Sequence, residues 1–100
     1  MEIIKEARDG QLTLKLVGRL DTGTAPSLEA VLKSSTEGVS ELVFDMEQLE
    51  YISSAGLRVL LSAQKLMNRQ GSMRLLHVGE AVRDVLEITG FVDILTIENE

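Results

Sequence analysis

The chain has 100 residues, and its sixteen acidic side chains outnumber ten basic ones to give a net charge of -6. This length suits one hydrophobic core, so we expect residues 1–100 to form a single domain. The acidic balance argues against nucleic acid or an anionic membrane as the main partner. The chain has no cysteine and only one histidine, so we expect neither a disulfide nor a metal site.

The sequence shows neither a secretion signal nor a membrane-spanning segment. Residues 1–6 lack the pattern of a signal peptide, and no apolar run approaches the ~18 residues that are needed to cross a bilayer. We therefore expect a cytoplasmic protein that binds a protein or a small molecule.

Alternating apolar residues predict strands, and apolar residues at a spacing of three and four predict helices. Thr24 is a candidate cap of the first helix, and Gly71 is placed to end the second helix in a left-handed conformation. The predicted elements are, in chain order, a strand that begins at Ile3, a turn at Asp9-Gly10, a strand over 12–16, a helix from Pro26 to between Ser34 and Gly38, a strand over 41–45, a helix from the serines at 53–54 to about Gln70, a strand over 73–78, a helix from Glu80 to Gly90, and a strand over 91–97.

This β-β-α-β-α-β-α-β order predicts an α/β fold with a mostly parallel mixed sheet of about five strands. The loops that leave the carboxyl ends of parallel strands gather at one edge of such a sheet, where sites usually form. Three predicted loops meet this description, namely 21–24, 45–54 and 78–80. We therefore expect Asp21 and Ser54 to be neighbours.

Two adjacent serines, Ser53 and Ser54, stand where the second helix begins. A serine at this position can cap the helix by accepting a hydrogen bond from an unpaired backbone N–H group. A serine hydroxyl at the positive end of a helix is also well placed to carry a phosphate, which the N–H groups and the helix dipole would stabilise. The two interpretations are compatible.

The second helix also carries a polar stripe on the face opposite its leucines, formed by Arg58, Ser62, Lys65 and Arg69. One interpretation is a solvated helix face. The other is a docking surface beside the serines, in which Arg58, four residues after Ser54, would reach a phosphate on that serine.

These stretches resemble the STAS domains, and among them the bacterial anti-sigma factor antagonists. The resemblance rests on the stretches 16–21, 42–52, 53–57 and 86–91, whose order and spacing match the family over nearly the whole chain. The stretch 53–57 (Ser-Ser-Ala-Gly-Leu) is similar to the phosphorylation motif of the family. Ser53 stands where many members have Asp, and this change supplies a second hydroxyl.

The resemblance implies a partner-switching regulator that is not an enzyme and has no cofactor of its own. By position, Ser54 is the expected phosphoacceptor, with Ser53 as the alternative. The implied partners are an anti-sigma factor with serine kinase activity, which binds the unphosphorylated protein, and a PP2C-type phosphatase that restores this form. The implied partner-binding residues are Asp21, Thr22, Gly23, Thr24, Ser53, Ser54, Gly56, Arg58 and Ser62.

Two enzymatic or signalling functions fit the sequence less well, and a second function within the family remains open. A serine hydrolase would use Ser54, His77 and Asp21, but the sequence lacks a G-x-S-x-G elbow and an evident oxyanion loop. A response-regulator receiver would use Asp45 as phosphoacceptor, but the cluster of acids and the lysine that it requires are missing. Within the family, the alternative is a STAS docking subunit of a transporter in phospholipid trafficking, or another scaffold that works without phosphorylation.

Overall fold

The computed structural model describes residues 1–98, in which an initial hairpin is followed by alternating helices and strands. This confirms the predicted order of elements. The predicted domain 1–100 also includes Asn99 and Glu100, which lie outside the described residues. The elements are β1 (Glu2–Arg8), β2 (Gln11–Leu20), α1 (Ala25–Ser35), β3 (Glu41–Ile52), α2 (Ser54–Gln70), β4 (Ser72–Leu76), α3 (Glu80–Thr89), a 3-10 turn (Phe91–Asp93) and β5 (Ile97–Glu98).

The five strands form one sheet in the order β1-β2-β3-β4-β5. The β1 strand is antiparallel to β2, and every other neighbouring pair is parallel, which confirms the predicted mixed sheet. Each crossover advances by one strand in the same direction, and right-handed crossovers then place all three helices on one face. Within residues 1–98, no helix is long and apolar enough to span a membrane.

The core lies between this face of the sheet and the helices. Strand residues alternate between the two faces, so Leu14 and Phe44 point into the core, where neither is exposed to solvent. Lys15 and Asp45, one position further along, lie on the face without helices and are half-buried. Each fully buried leucine or phenylalanine contributes about 1.5–3 kcal/mol of transfer free energy, so this layer supplies the main driving force for folding.

The β3 strand is longer than the sequence predicted. It continues from Asp45 to Ile52, and the added residues pair with β2 through two register shifts. The prediction of a loop over 45–54 was therefore wrong for most of that range. Glu47, Gln48 and Glu50 are exposed because β4 has already ended beside this part of β3, so polar strand residues were mistaken for a loop.

The last two strands are shorter than predicted. The β4 strand ends at Leu76 instead of residue 78, because His77 takes a left-handed conformation with φ of 57°. Residues 91–97 do not form one strand. A 3-10 turn comes first, in which the Phe91 carbonyl accepts hydrogen bonds from the N–H groups of Ile94 and Leu95. Of residues 91–98, only Ile97 and Glu98 pair with β4.

Gly71 ends α2, but not in the predicted left-handed conformation. Its φ of 169° is extended backbone, which any residue can adopt. A glycine is required here for a different reason, because a Cβ atom on Gly71 would lie 1.8 Å from the carbonyl oxygen of Ser40. The next residue, Ser72, donates its N–H to that same oxygen at 2.9 Å and starts β4.

Candidate functional site

The two serines occupy different positions at the start of α2. Ser53 is the N-cap residue, with extended backbone (φ -100°, ψ 176°), and its hydroxyl accepts from the Gly56 N–H at 3.5 Å. That distance is long for a hydrogen bond, so the cap is weak. Ser54 is the first helical residue and is exposed, and among residues 1–98 its hydroxyl has no hydrogen-bond partner. The capping and phosphate-carrying interpretations therefore fall on different residues, Ser53 for the first and Ser54 for the second.

Gly56 fixes the first turn of α2 against the sheet. It is buried, and a Cβ atom on it would lie 2.6 Å from Cγ of Leu20 and 3.0 Å from Cγ1 of Ile52. Only glycine allows the helix to approach the ends of β2 and β3 this closely. Gly56 therefore positions the serines and does not itself contribute a side chain to the exposed surface.

The loop 21–24 is ordered by hydrogen bonds around Asp21. Its carboxylate oxygen Oδ1 accepts from the N–H groups of Gly23 at 3.0 Å and Thr24 at 3.1 Å. The Thr24 hydroxyl donates to the Arg19 carbonyl at 2.8 Å and accepts from the Asp21 N–H at 2.8 Å. Thr24 does stand at the N-cap of α1, but its side chain makes no capping bond, so the prediction that it caps this helix was wrong. The hydroxyl is engaged within the loop instead.

Asp21 is held as a carboxylate. Partial burial raises its pKa, but hydrogen bonds from Thr24 and Gly23 and the nearby charge of Arg19 outweigh that effect and leave the pKa below its usual value. The guanidinium of Arg19 lies 3.9 Å from the Asp21 carboxylate. The loop therefore presents a negative charge at neutral pH.

The loop 21–24 and the serines lie side by side, as predicted. Leu20 and Ile52 are paired in register, and the Ser53 N–H donates to the Leu20 carbonyl at 2.9 Å. Asp21 and Ser54 each follow directly after one residue of this hydrogen-bonded pair. The carboxyl ends of β2 and β3 thus create a single edge that carries both an acidic loop and an exposed hydroxyl.

The third predicted loop, 78–80, is not at this edge. Because β4 ends opposite Asp45, seven residues of β3 lie between it and the serines, about 23 Å at 3.3 Å per strand residue. His77 contacts Asp45 instead, with Nδ1 3.0 Å from the Asp45 carboxylate. The structure does not assemble the Ser54, His77 and Asp21 arrangement that a serine hydrolase would need.

Asp45, Glu47 and His77 are the described residues that could together hold a metal ion. One ligand atom from each lies within 4.8 Å of the others. Asp45 Oδ1 already accepts from the Glu47 N–H at 3.1 Å and contacts the His77 ring. Burial raises the pKa of Asp45. The hydrogen bonds with His77 and Glu47 and the charges of His77 and Lys15 have the opposite and larger effect, so the pKa lies below its usual value. These contacts account for the cluster as a link between β3 and β4.

Arg19 and Tyr51, which no sequence pattern singled out, flank the serine edge. They are register partners on β2 and β3, and the guanidinium carbon of Arg19 lies 4.3 Å from the centre of the Tyr51 ring. This cation–π contact lies next to Asp21, to which Arg19 also extends. The exposed arginine and tyrosine are visible in the sequence, but the two register shifts that pair them are not.

The polar stripe of α2 is exposed along its whole length, while the opposite face is buried. Among residues 1–98, Arg58 has no ion-pair or hydrogen-bond partner, so its guanidinium is available one turn after Ser54. Of the predicted site residues, Thr22, Gly23, Ser54, Arg58 and Ser62 are exposed, Asp21, Thr24 and Ser53 are half-buried, and Gly56 is buried.

The chain is similar to known proteins over nearly its whole length. The chain is 40% identical to BtrV of Bordetella bronchiseptica, which is named as an anti-sigma factor antagonist, over 99% of this chain and 87% of that protein. It is 32% identical to the anti-sigma-B factor antagonist of Listeria monocytogenes over 96% of this chain and 86% of that protein. Both relatives are matched over most of their length.

Solved structures share the fold. The unphosphorylated anti-sigma factor antagonist SpoIIAA superposes with a TM-score of 0.78 at 16% identity, over 99% of this chain and 89% of that one. The phosphorylated form of Bacillus SpoIIAA gives the same TM-score at 17% identity, over 99% and 91% of the two chains. The STAS domain model matches residues 2–100. The chain therefore belongs to the STAS domain family.

Proposed function

We propose that this protein is an anti-sigma factor antagonist that works by partner switching. Unphosphorylated, it binds an anti-sigma factor with serine kinase activity and thereby frees the sigma factor. Phosphorylation of Ser54 releases the protein from the anti-sigma factor. The observation that carries this proposal is the exposed Ser54 hydroxyl at the start of α2, next to the ordered acidic loop 21–24, in a chain whose relatives are named for this function.

The partner-binding face consists of the loop 21–24, the two serines and the exposed stripe of α2. Hydrogen bonds within the loop and the close packing at Gly56 hold this face in place before a partner arrives. A preorganised face loses little conformational entropy on binding, which favours affinity.

Phosphorylation changes the charge of this face. In the kinase step the Ser54 oxygen forms a bond to the γ-phosphorus of ATP, the bond to ADP breaks, and the hydroxyl proton is released. ATP and magnesium belong to the kinase. The product carries about -1.5 to -2 charges at neutral pH, and it lies close to the carboxylate of Asp21.

The added charge weakens the complex because a partner would have to bury it. An uncompensated buried charge costs several kcal/mol, and about 1.4 kcal/mol already changes an affinity tenfold. In the free protein, Arg58 and the N–H groups at the start of α2 stabilise the phosphate. Phosphorylation thus destabilises the complex and stabilises the free protein.

On this proposal the protein is a substrate and a ligand, not an enzyme. A PP2C-type phosphatase removes the phosphate and restores the binding form. The protein acts in the cytoplasm, where the sigma factor is, and it contacts no nucleic acid itself.

The test is mass spectrometry after incubation with ATP and each kinase-type anti-sigma factor of the same genome. The variants are Ser54→Ala and Ser53→Ala, compared with the wild type. We expect one added phosphate on the wild type and on Ser53→Ala, and none on Ser54→Ala. Because both serines begin the same helix, each variant is the matched control of the other.

Two other outcomes are informative. Loss of the phosphate only in Ser53→Ala would keep the switch but move the acceptor to Ser53. No phosphate on any form, with kinases shown to be active on another substrate, would contradict the switch and favour a docking module that works without phosphate.

A further inference from the structure

A shallow groove lies between α1 and α2, on the side of these helices that faces away from the sheet. Its volume is about 120 Å³. The floor is apolar and buried, with Leu32, Val59 and Ala63 all less than 10% exposed, and Leu66 forms a half-buried wall. An engineered cavity of about 150 Å³ accommodates benzene, so this groove has room for one aliphatic side chain. Its rim is formed by Glu29, Lys33 and Ser62.

The charges around the groove are opposite to the charge of the whole protein. Of the ten basic residues in the chain, four lie on α1 and α2, while only one of the sixteen acidic residues does. Residues three and four apart on a helix are neighbours, so Ser62 at the rim adjoins Arg58 and Lys65. Basic side chains therefore outnumber acidic ones on the two helices that form this apolar depression, on a protein with a net charge of -6.

We propose that this groove anchors one aliphatic side chain of the protein partner, and that carboxylates flanking this side chain bind the basic stripe of α2. The partner segment is thus acidic, with a leucine-sized residue at its centre. An apolar anchor in a pocket with a charged rim is the usual arrangement of a binding hot spot. The complementary charges speed association and fix the register.

This inference rests on the proposed function, because it describes how the anti-sigma factor is bound. It adds a second partner contact beside the serine edge. Val59, in the floor of the groove, lies five residues, about 7.5 Å of helix, beyond Ser54. The aliphatic anchor would supply affinity, and the serine edge would supply the phosphate-dependent release.

The experiment measures the affinity for the kinase-type anti-sigma factor that the wild-type protein binds, by titration calorimetry without ATP. Ser62→Trp places an indole over the groove, and we expect affinity to fall at least about tenfold, as for loss of a hot-spot contact. Lys65→Glu reverses one charge of the stripe. We expect about a tenfold loss at low salt that shrinks as added salt screens the charges.

Each variant has a matched control away from the groove. Ser34→Trp adds the same side chain at an exposed serine of α1 that does not line the groove, and Arg8→Glu makes the same charge change on β1. Both controls should bind like the wild type. All four substituted residues are exposed, so we expect the urea concentration at the midpoint of unfolding to equal that of the wild type.

The outcomes separate this inference from the proposed function. If the wild type binds and Ser62→Trp binds equally well, the groove is not the anchor and Ser62 is not part of the partner-binding face, while the phosphate switch at Ser54 stands. If Ser34→Trp weakens binding as much as Ser62→Trp, the assignment to the groove is also wrong. If the wild type binds no anti-sigma factor, both the proposed function and this inference are overturned.

Discussion

Gly56 shows how the serine site depends on a residue that has no side chain. Helix propensity alone would make alanine about 1 kcal/mol better than glycine inside a helix. At this position the propensity is outweighed, because the space where a Cβ would lie is occupied by Leu20 and Ile52, both buried. The glycine brings the start of α2 close enough for Ser53 to bond the end of β2.

Gly56→Ala should therefore destabilise the protein despite the better helix propensity of alanine. We expect the free energy of unfolding to fall by about 1–3 kcal/mol, as is typical of overpacking a buried site. Urea unfolding followed by circular dichroism measures this change. Gly79→Ala is the control, because a Cβ on Gly79 meets nothing within 4 Å and its φ of -76° suits alanine. Equal effects of the two substitutions would contradict the steric explanation.

Among the elements, β3 connects the contact with the end of β4 to the edge that carries the serines. Its first five residues pair with both β2 and β4, and its later pairs, at Gln48, Leu49, Tyr51 and Ile52, are with β2 alone. The contact between Asp45 and His77 lies where β4 ends, and the serines follow the far end of β3. The strand thus separates the Asp45–His77 contact from the edge that carries the serines.

The Asp45 link should make stability depend on pH in the acid range. The folded-state pKa of Asp45 is below the ordinary value of 3.8, so its contribution is fully present above that value and is lost as the pH falls through the folded pKa. Asp45→Asn should cost about 0.5–1 kcal/mol at roughly pH 7, and the cost should be smaller at roughly pH 3, below the ordinary pKa of 3.8. Urea titrations at both pH values measure this difference.

The matched control for Asp45→Asn is Asp84→Asn, which removes an exposed carboxylate on α3. We expect little change in stability from it at either pH. A destabilisation by Asp45→Asn that is the same in acid and at neutral pH would show that the carboxylate charge is not what links the two strands.

For the whole molecule, the distribution of charge matters more than the total. The net charge of -6 opposes binding to any polyanion, although the basic side chains of α2 stand on one exposed face. Binding to the backbone of a nucleic acid relies on several basic residues that neutralise successive phosphates and release their counterions. Three basic residues on an acidic protein are suited to a short acidic protein segment instead.

We therefore expect no binding to DNA at physiological salt. Fluorescence anisotropy of a labelled duplex should stay constant up to protein concentrations on the order of 10⁻⁴ M, the weak end of non-specific DNA binding. A basic helix-turn-helix protein serves as the positive control in the same buffer. A saturable rise in anisotropy at micromolar protein would contradict this expectation.

The sequence by itself determined the order of elements and the start of α2. Leucines at helical spacing and two serines after an apolar strand suffice for these assignments, because they depend on contacts between residues close in the chain. Asp21 and Ser54 were also correctly predicted to be neighbours, because parallel strands bring their carboxyl ends together.

Only the tertiary structure decided the length of β3, the role of Gly71 and the pairing of Arg19 with Tyr51. Each depends on what lies next to a residue across the sheet or in a distant loop: the early end of β4, the Ser40 carbonyl, and the register shifts between β2 and β3. The groove between α1 and α2 has the same origin, since its two walls lie about thirty residues apart in the chain. Local sequence patterns determine the helices and strands, whereas the groove and the Arg19–Tyr51 pair are formed by contacts between residues far apart in the chain.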